Sequence, residues 1–124
     1  FGQASDMIHF GPKAQATSII DDWAPYYIAR TQAVLDGTWE SQDTFGGLAE
    51  GMVLMAPYTN VSDEVAALGA ETADAIASGA MHPFQGPIYN QAGELKVAEG
   101  EILPIGDLLG MNWYVQGVDD QLPE

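Results

Sequence analysis

A five-residue apolar run, Met52-Val53-Leu54-Met55-Ala56, constrains the fold of this chain more than any other stretch. Gly46-Gly47 leads into it and Pro57 stops it. A short continuous run of this kind suits a strand buried on both faces, as in a parallel sheet. Helical patterns flank it. Upstream, Thr17 to Gly37 reads as helical around Pro25, either as a helix kinked at that proline or as a fresh helix capped by Asp22 with Pro25 in its first turn. From there Ala24, Tyr27, Ile28, Thr31, Val34 and Leu35 recur at amphipathic helical spacing, and Gly37 stands where a helix ends. Downstream, Ser62 can cap a helix whose first turn carries Asp63 and Glu64 at the positive end of the dipole. Val65, Leu68, Thr72 and Ile76 form its expected buried stripe, and Gly79 closes it.

The remaining segments are shorter. Gly2 to Phe10 reads as a strand running into a loop that Gly11-Pro12 ends. Pro83 to Val97 reads as a hairpin turning at Asn90-Gln91-Ala92-Gly93. The tail from Ile102 to Glu124 holds a short turn of helix and then the aromatic-rich segment Met111-Asn112-Trp113-Tyr114-Val115. Strand, helix, strand, helix, hairpin is the order of an α/β layer structure with at least one right-handed crossover. The length, 124 residues, suits one domain. Two long strands do not make a stable parallel sheet by themselves, so further strands are expected upstream or from another chain.

Charge excludes several functions. Eighteen Asp and Glu oppose only Lys13, Arg30 and Lys96, for a formal charge of −15. Nucleic-acid binders draw affinity from neutralising phosphates with basic side chains, so no nucleic acid is expected as a partner. An anionic membrane surface would repel the chain for the same reason. No apolar run approaches the roughly 20 residues of a membrane-spanning helix, so no stable membrane insertion is expected. Cysteine is absent, which removes disulfides, thiolate zinc sites and cysteine nucleophiles. The chain begins at Phe1 with no signal-like segment, and is expected to be a processed product or a fragment.

Few residues are placed for chemistry. Asp6 stands where a strand gives way to a loop; ligands bind outside the carboxyl ends of strands in open α/β sheets, but aspartate also serves turns. Asp21-Asp22-Trp23 beside Tyr26-Tyr27 sets two acids against three aromatics. Aromatic faces hold flat heteroaromatic ligands while carboxylates accept their ring N–H protons. The same residues would equally serve as cap, dipole partners and core of a helix N-terminus. His9 and His82 lack metal-ligand spacing, and Asp119-Asp120 and Glu99-Gly100-Glu101 do not reproduce a calcium loop, so no metal and no cofactor is expected. Asn60-Val61-Ser62 matches a glycosylation acceptor, although Ser62 is better explained as the helix cap. No nucleophile elbow, phosphate loop or dinucleotide fingerprint occurs, and nothing in the pattern points to an enzyme.

An ordered series of motifs nevertheless resembles one family. The pieces are Ser5-Asp6-Met7, Pro12-Lys13, Thr17-Ser18-Ile19-Ile20-Asp21-Asp22-Trp23 with Pro25-Tyr26-Tyr27, Gly37-Thr38-Trp39, Gly46-Gly47-Leu48 with Gly51-Met52-Val53, Ala56-Pro57-Tyr58, Phe84-Gln85-Gly86-Pro87-Ile88 and Met111-Asn112-Trp113-Tyr114. Together they resemble the basic membrane protein family of ABC-transporter substrate-binding proteins, in its purine- and nucleoside-binding branch. The resemblance implies a periplasmic-binding-protein type I-like fold, a parallel sheet with flanking helices plus a C-terminal hairpin, of which residues 1–124 would be a C-terminal fragment of a two-lobed protein. It also implies a periplasmic or other extracytoplasmic location, a purine nucleobase or nucleoside as ligand, and an ABC permease as partner. Asp6 is the ligand-binding candidate that the resemblance implies, matching an aspartate that holds ribose hydroxyls in nucleoside-binding relatives; Ser18, Asp21 and Trp23 are the further ligand-binding candidates. Asp21 stands where nucleoside-binding relatives place a lysine that contacts the sugar, which suits a free nucleobase better. The competing reading is a structural or interaction α/β domain that oligomerises through exposed strand edges and binds no small ligand.

Overall fold

In the computed structural model, which describes residues 1–120, the segment before Pro25 is extended rather than helical. Strand β1 covers Ile19–Asp21, and helix α1 begins only afterwards, at Ala24–Leu35. The physical reason is local: Thr17, Ile19 and Ile20 are β-branched, and Pro25 is accepted only in a first helical turn. Of the two readings of this region, the fresh helix is the observed one, with Trp23 at the cap position. Asp22 Oδ1 accepts a hydrogen bond from the Ala24 N–H at 3.0 Å, one residue from the cap role expected of it. Gly37 closes α1 with φ of +69°, and its N–H and that of Thr38 return to the Val34 and Ala33 carbonyls. That pair of bonds is a Schellman closure, which needs a left-handed residue and therefore favours glycine.

The apolar run forms strand β2, Val53–Met55, but its pairing corrects the parallel-sheet expectation. Strands β1 and β2 are antiparallel, with Ile19 opposite Met55 and Asp21 opposite Val53. The Leu48–Gly51 turn brings the chain back beside the end of β1, where the Asp22 N–H bonds the Met52 carbonyl, so β2 can only run backwards along β1. Parallel pairing survives as single bridges. Gly2 lies parallel to Ser18, and the Ile19 and Asp21 N–H groups donate to the Gly2 and Ala4 carbonyls. The strand expected over Gly2 to Phe10 reduces to that bridge, because residues 7–11 fold into successive turns. A Cβ on residue 2 would fall on Ser18 Oγ, so this close approach requires glycine.

Helix α2, Asp63–Ala77, starts as expected, with Ser62 Oγ accepting the Val65 N–H at 3.3 Å. Its stripe does not. Neither α1 nor α2 has a buried residue, and Val65 and Leu68 are 50% and 64% exposed. The stripe lines an open concavity instead of a closed core. Likewise β2 is not buried on both faces, since Leu54 is exposed.

The chain divides into two compact units, Phe1–Ala80 and Met81–Glu124. In the second, β3 (Ile88–Tyr89) and β4 (Leu95–Val97) form the expected antiparallel hairpin. Asn90 shapes its turn: Oδ1 accepts from the Ala92 and Glu94 N–H groups, and Nδ2 donates to Glu94 Oε2. That last bond, followed by the nearby Lys96 charge, holds the Glu94 carboxyl below its ordinary value. The tail supplies the short helix α3, Ile105–Leu109, and a bridge from Val115 to Asn90. Part of the tail's last stretch, residues 121–124, lies outside the described residues. Core formation is sparse: the buried apolar residues among those described are Ala56, Val97 and Leu103.

Replacing Ser62 with Ala removes the one side-chain acceptor at the start of α2, and is expected to lower stability by about 1 kcal/mol. The check is the urea midpoint followed by circular dichroism, with the slope of the transition unchanged.

Candidate functional site

Buried polar residues organise the first unit. Thr17 and Ser18 are fully buried, and both hydroxyls are used. Thr17 Oγ1 donates to the Ala56 carbonyl at 2.7 Å, while Ser18 Oγ accepts the Met7 N–H at 3.3 Å. The first bond ties β1 to the chain leaving β2, and the second fastens the residue 5–11 loop to β1.

Asp6 completes that fastening. Its Oδ1 accepts the Ile8 N–H at 3.0 Å, an Asx turn, and also the Gln15 side-chain amide at 2.8 Å. The Gln15 hydrogen bond first, then the Ile8 amide, lower the Asp6 pKa below its ordinary value. Gln15 is itself buried, and its carbonyl accepts from Thr59 Oγ1 and Asn60 Nδ2. A chain of hydrogen bonds therefore runs from Asp6 through Gln15 to the start of the α2 segment.

Asp21 and Trp23 have a different setting. Asp21 is the last residue of β1, bound through its backbone N–H to Ala4, and its side chain is exposed. Among the described residues nothing hydrogen-bonds the Asp21 carboxylate. By strand alternation Ser18 and Asp21 lie on opposite faces, which agrees with one being buried and the other exposed. Trp23 is 47% exposed. Its ring stacks on Tyr27 with centroids 6.3 Å apart and meets Tyr26 edge-on at 6.0 Å. Tyr26 and Tyr27 also touch, edge to face, at 5.9 Å. Three rings thus form a partly open aromatic face immediately beyond an unengaged carboxylate, at the carboxyl end of a strand.

The structure brings Asp6, Ser18 and the backbone of Asp21 onto one short loop-and-strand segment, and sets Trp23 two residues past its end. Nothing in the sequence pointed to Gln15, because a side-chain amide reaching a partner nine residues away leaves no periodic trace. Asn60 was visible only as a possible glycosylation acceptor; its Nδ2 instead donates to the Pro12 and Gln15 carbonyls. The concavity along α2, of about 370 Å³, is lined by none of the four candidates. Among the described residues no three acidic or histidine side chains converge to hold a metal ion, and no helix is long and apolar enough to cross a membrane.

Comparison with known proteins gives this arrangement a context. The chain is 54% identical, over all 124 residues, to a purine-binding protein of Brucella abortus (strain 2308). This chain is a relative of a purine-binding protein. The resemblance read from its motifs therefore holds along the whole length. A more distant relative, 25% identical over 98% of the chain, is a putative ABC transporter glucose-binding protein of Haloferax volcanii. The chain spans 35% of the first relative and 29% of the second, about a third of each. Among solved structures, a transcriptional activator of the comK gene from Bacillus halodurans matches with a TM-score of 0.57 at 19% identity, covering 67% of this chain and 30% of that one. That likeness is one of fold alone. No protein-family model matches the chain.

The Asp6–Gln15 bond sets a pH dependence. A carboxyl whose folded pKa is depressed adds stability that is complete above its unfolded value, about 3.9, and is lost as pH falls through the lowered folded value. Replacing Gln15 with Ala removes the larger cause. The Asp6 pKa is expected to rise towards its ordinary value, and carboxyl-carbon NMR titration of both proteins measures the change.

Proposed function

We propose that this chain forms one wall of the ligand site in an extracytoplasmic solute-binding protein of an ABC importer, and that the ligand is a purine nucleobase or nucleoside. The observation that carries the reading is the half-exposed Trp23 ring directly beyond the unengaged Asp21 carboxylate, at the carboxyl end of β1. Identity of 54% to a purine-binding protein, across every residue of the chain, supports the ligand class.

The chemistry follows from the two groups. A purine is flat and π-rich, so one face stacks on an indole, and its ring and exocyclic N–H groups donate to a carboxylate. Charge-assisted bonds of that kind gain strength as water is excluded, which is the effect of a second wall closing over the first. Asp6 and Ser18 act one step back: their bonds to Gln15, Ile8 and Met7 hold the loop beside β1, so they position the wall. Asp21 stands where nucleoside-binding relatives place a sugar-contacting lysine, and in this reading the loss of that cationic donor favours a free nucleobase over a sugar-bearing ligand. In this reading the whole protein is two-lobed with a periplasmic-binding-protein type I-like fold, the chain is part of its C-terminal region, closure on the ligand is the signal, and a permease receives the closed form. No catalytic step is part of it.

The test uses a chimera in which this chain replaces the matching stretch of the Brucella protein. Trp23→Ala and Asp21→Ala are each expected to weaken purine binding at least about tenfold, or about 1.4 kcal/mol, by isothermal calorimetry. Glu64→Ala, on the exposed first turn of α2, is expected to leave affinity unchanged. Unaltered affinity in both site variants would refute the proposal.

A further inference from the structure

Ala4 holds its backbone at φ +66°, in the left-handed region that a residue with a Cβ adopts only under constraint. Asn60 is the other described non-glycine residue with a positive φ, and asparagine tolerates that region where alanine gains nothing from it. The surroundings of Ala4 supply the constraint. On one side its carbonyl accepts the Asp21 N–H at 3.0 Å, the last bond of the ladder in which residues 2–4 run parallel to β1. On the other, Asp6 is held by Gln15 and Ile8, and the Met7 N–H returns to Ser18. The chain must therefore turn back within residues 4 and 5, and it does so where β1 ends. Backbone strain fixed by bonds on both sides is a feature of ligand clamps.

The turn sorts the side chains. It sets the Asp6 carboxylate on Gln15 and leaves Ser5 exposed at the carboxyl end of β1, one peptide unit from the bond to the Asp21 amide. The Ser5 hydroxyl donates to the Met7 thioether, with Oγ 3.4 Å from Sδ, and Met7 is itself 38% exposed. A thioether sulfur is a weak acceptor, so a nitrogen or oxygen lone pair of a ligand displaces it at little cost. We infer that Ser5 is a specificity-determining residue of the ligand wall: its hydroxyl leaves Met7 and donates to a ring nitrogen or carbonyl oxygen of the purine, beside the N–H groups that Asp21 accepts. The inference rests on the ligand reading proposed above and supplies its complementary half. An ionised Asp21 can only accept, whereas a purine edge carries acceptors as well as donors, and Ser5 is a donor exposed next to that carboxylate's own strand end.

Affinity is measured by isothermal calorimetry in the chimera with the Brucella protein, with adenine, guanine and hypoxanthine as separate probes. Ser5→Ala is expected to weaken binding about fivefold, the scale of one neutral hydrogen bond and less than the loss in Asp21→Ala. Met7→Leu removes the sulfur acceptor at nearly constant volume, and is expected to leave affinity unchanged or higher, because the hydroxyl is then free for the ligand. A hydroxyl that served only to hold Met7 would make the two variants lose affinity alike, and that result overturns the inference. So does unaltered affinity in Ser5→Ala. If Asp21→Ala and Trp23→Ala still weaken binding in that case, the ligand wall stands and only the role of Ser5 fails. Unaltered affinity in all three variants overturns the ligand reading together with this one.

Discussion

Two buried hydroxyls hold the first unit together. Thr17 and Ser18 sit in extended backbone just before β1, fully buried, where most small domains would place aliphatic side chains. Burying a hydroxyl is unfavourable unless it is bonded, and both are: Thr17 to the Ala56 carbonyl, Ser18 to the Met7 amide. These bonds do what apolar packing does elsewhere. They fix the register of β1 against β2, with the Ala56 N–H returning to the Ser18 carbonyl, and they draw the residue 5–11 loop against the strand. The placement of Asp21 and Trp23, the residues of the proposed ligand wall, is a consequence of that register, because they are the next residues along.

Local chemistry was legible in the sequence, and pairing was not. Ser62, Gly37 and the Asn90–Gly93 turn act within a few residues of themselves, so their residue types announce helix ends and a hairpin without reference to the rest of the chain. The direction of β2 depends on where the Leu48–Gly51 turn delivers it, a non-local outcome that an apolar run cannot encode. The same limit explains β1. A helical reading of Thr17 to Gly37 rested on the periodic part after Pro25 and carried it back over three β-branched residues whose preference for extended backbone was the stronger signal. At the candidate site the acids and rings were visible as residue types. Their division into Asp6 and Ser18, engaged with the protein, and Asp21, unengaged, was not, because it is decided by Gln15 and Met7.

The amphipathic stripes were read with the right spacing and the wrong surroundings. Period alone says that one face of α2 differs from the other; it does not say that the partner lies within the same 124 residues. With 47% hydrophobic residues and so few buried, the chain has apolar faces in excess of what it can cover for itself. Exposed apolar surface on this scale marks an interaction site more often than a free surface.

The proposed ligand wall and the apolar concavity occupy different parts of the first unit. The wall lies at the carboxyl end of β1 and the start of α1, whereas the concavity follows α2. What connects them is the hydrogen-bonded run from Asp6 through Gln15 to Thr59 and Asn60, which reaches the residues just before Ser62 and the start of α2. That run ties the chain entering α2 to the residue 5–11 loop beside β1. A displacement at the start of α2 is therefore transmitted through polar bonds to the loop beside β1 on which the proposed ligand wall rests.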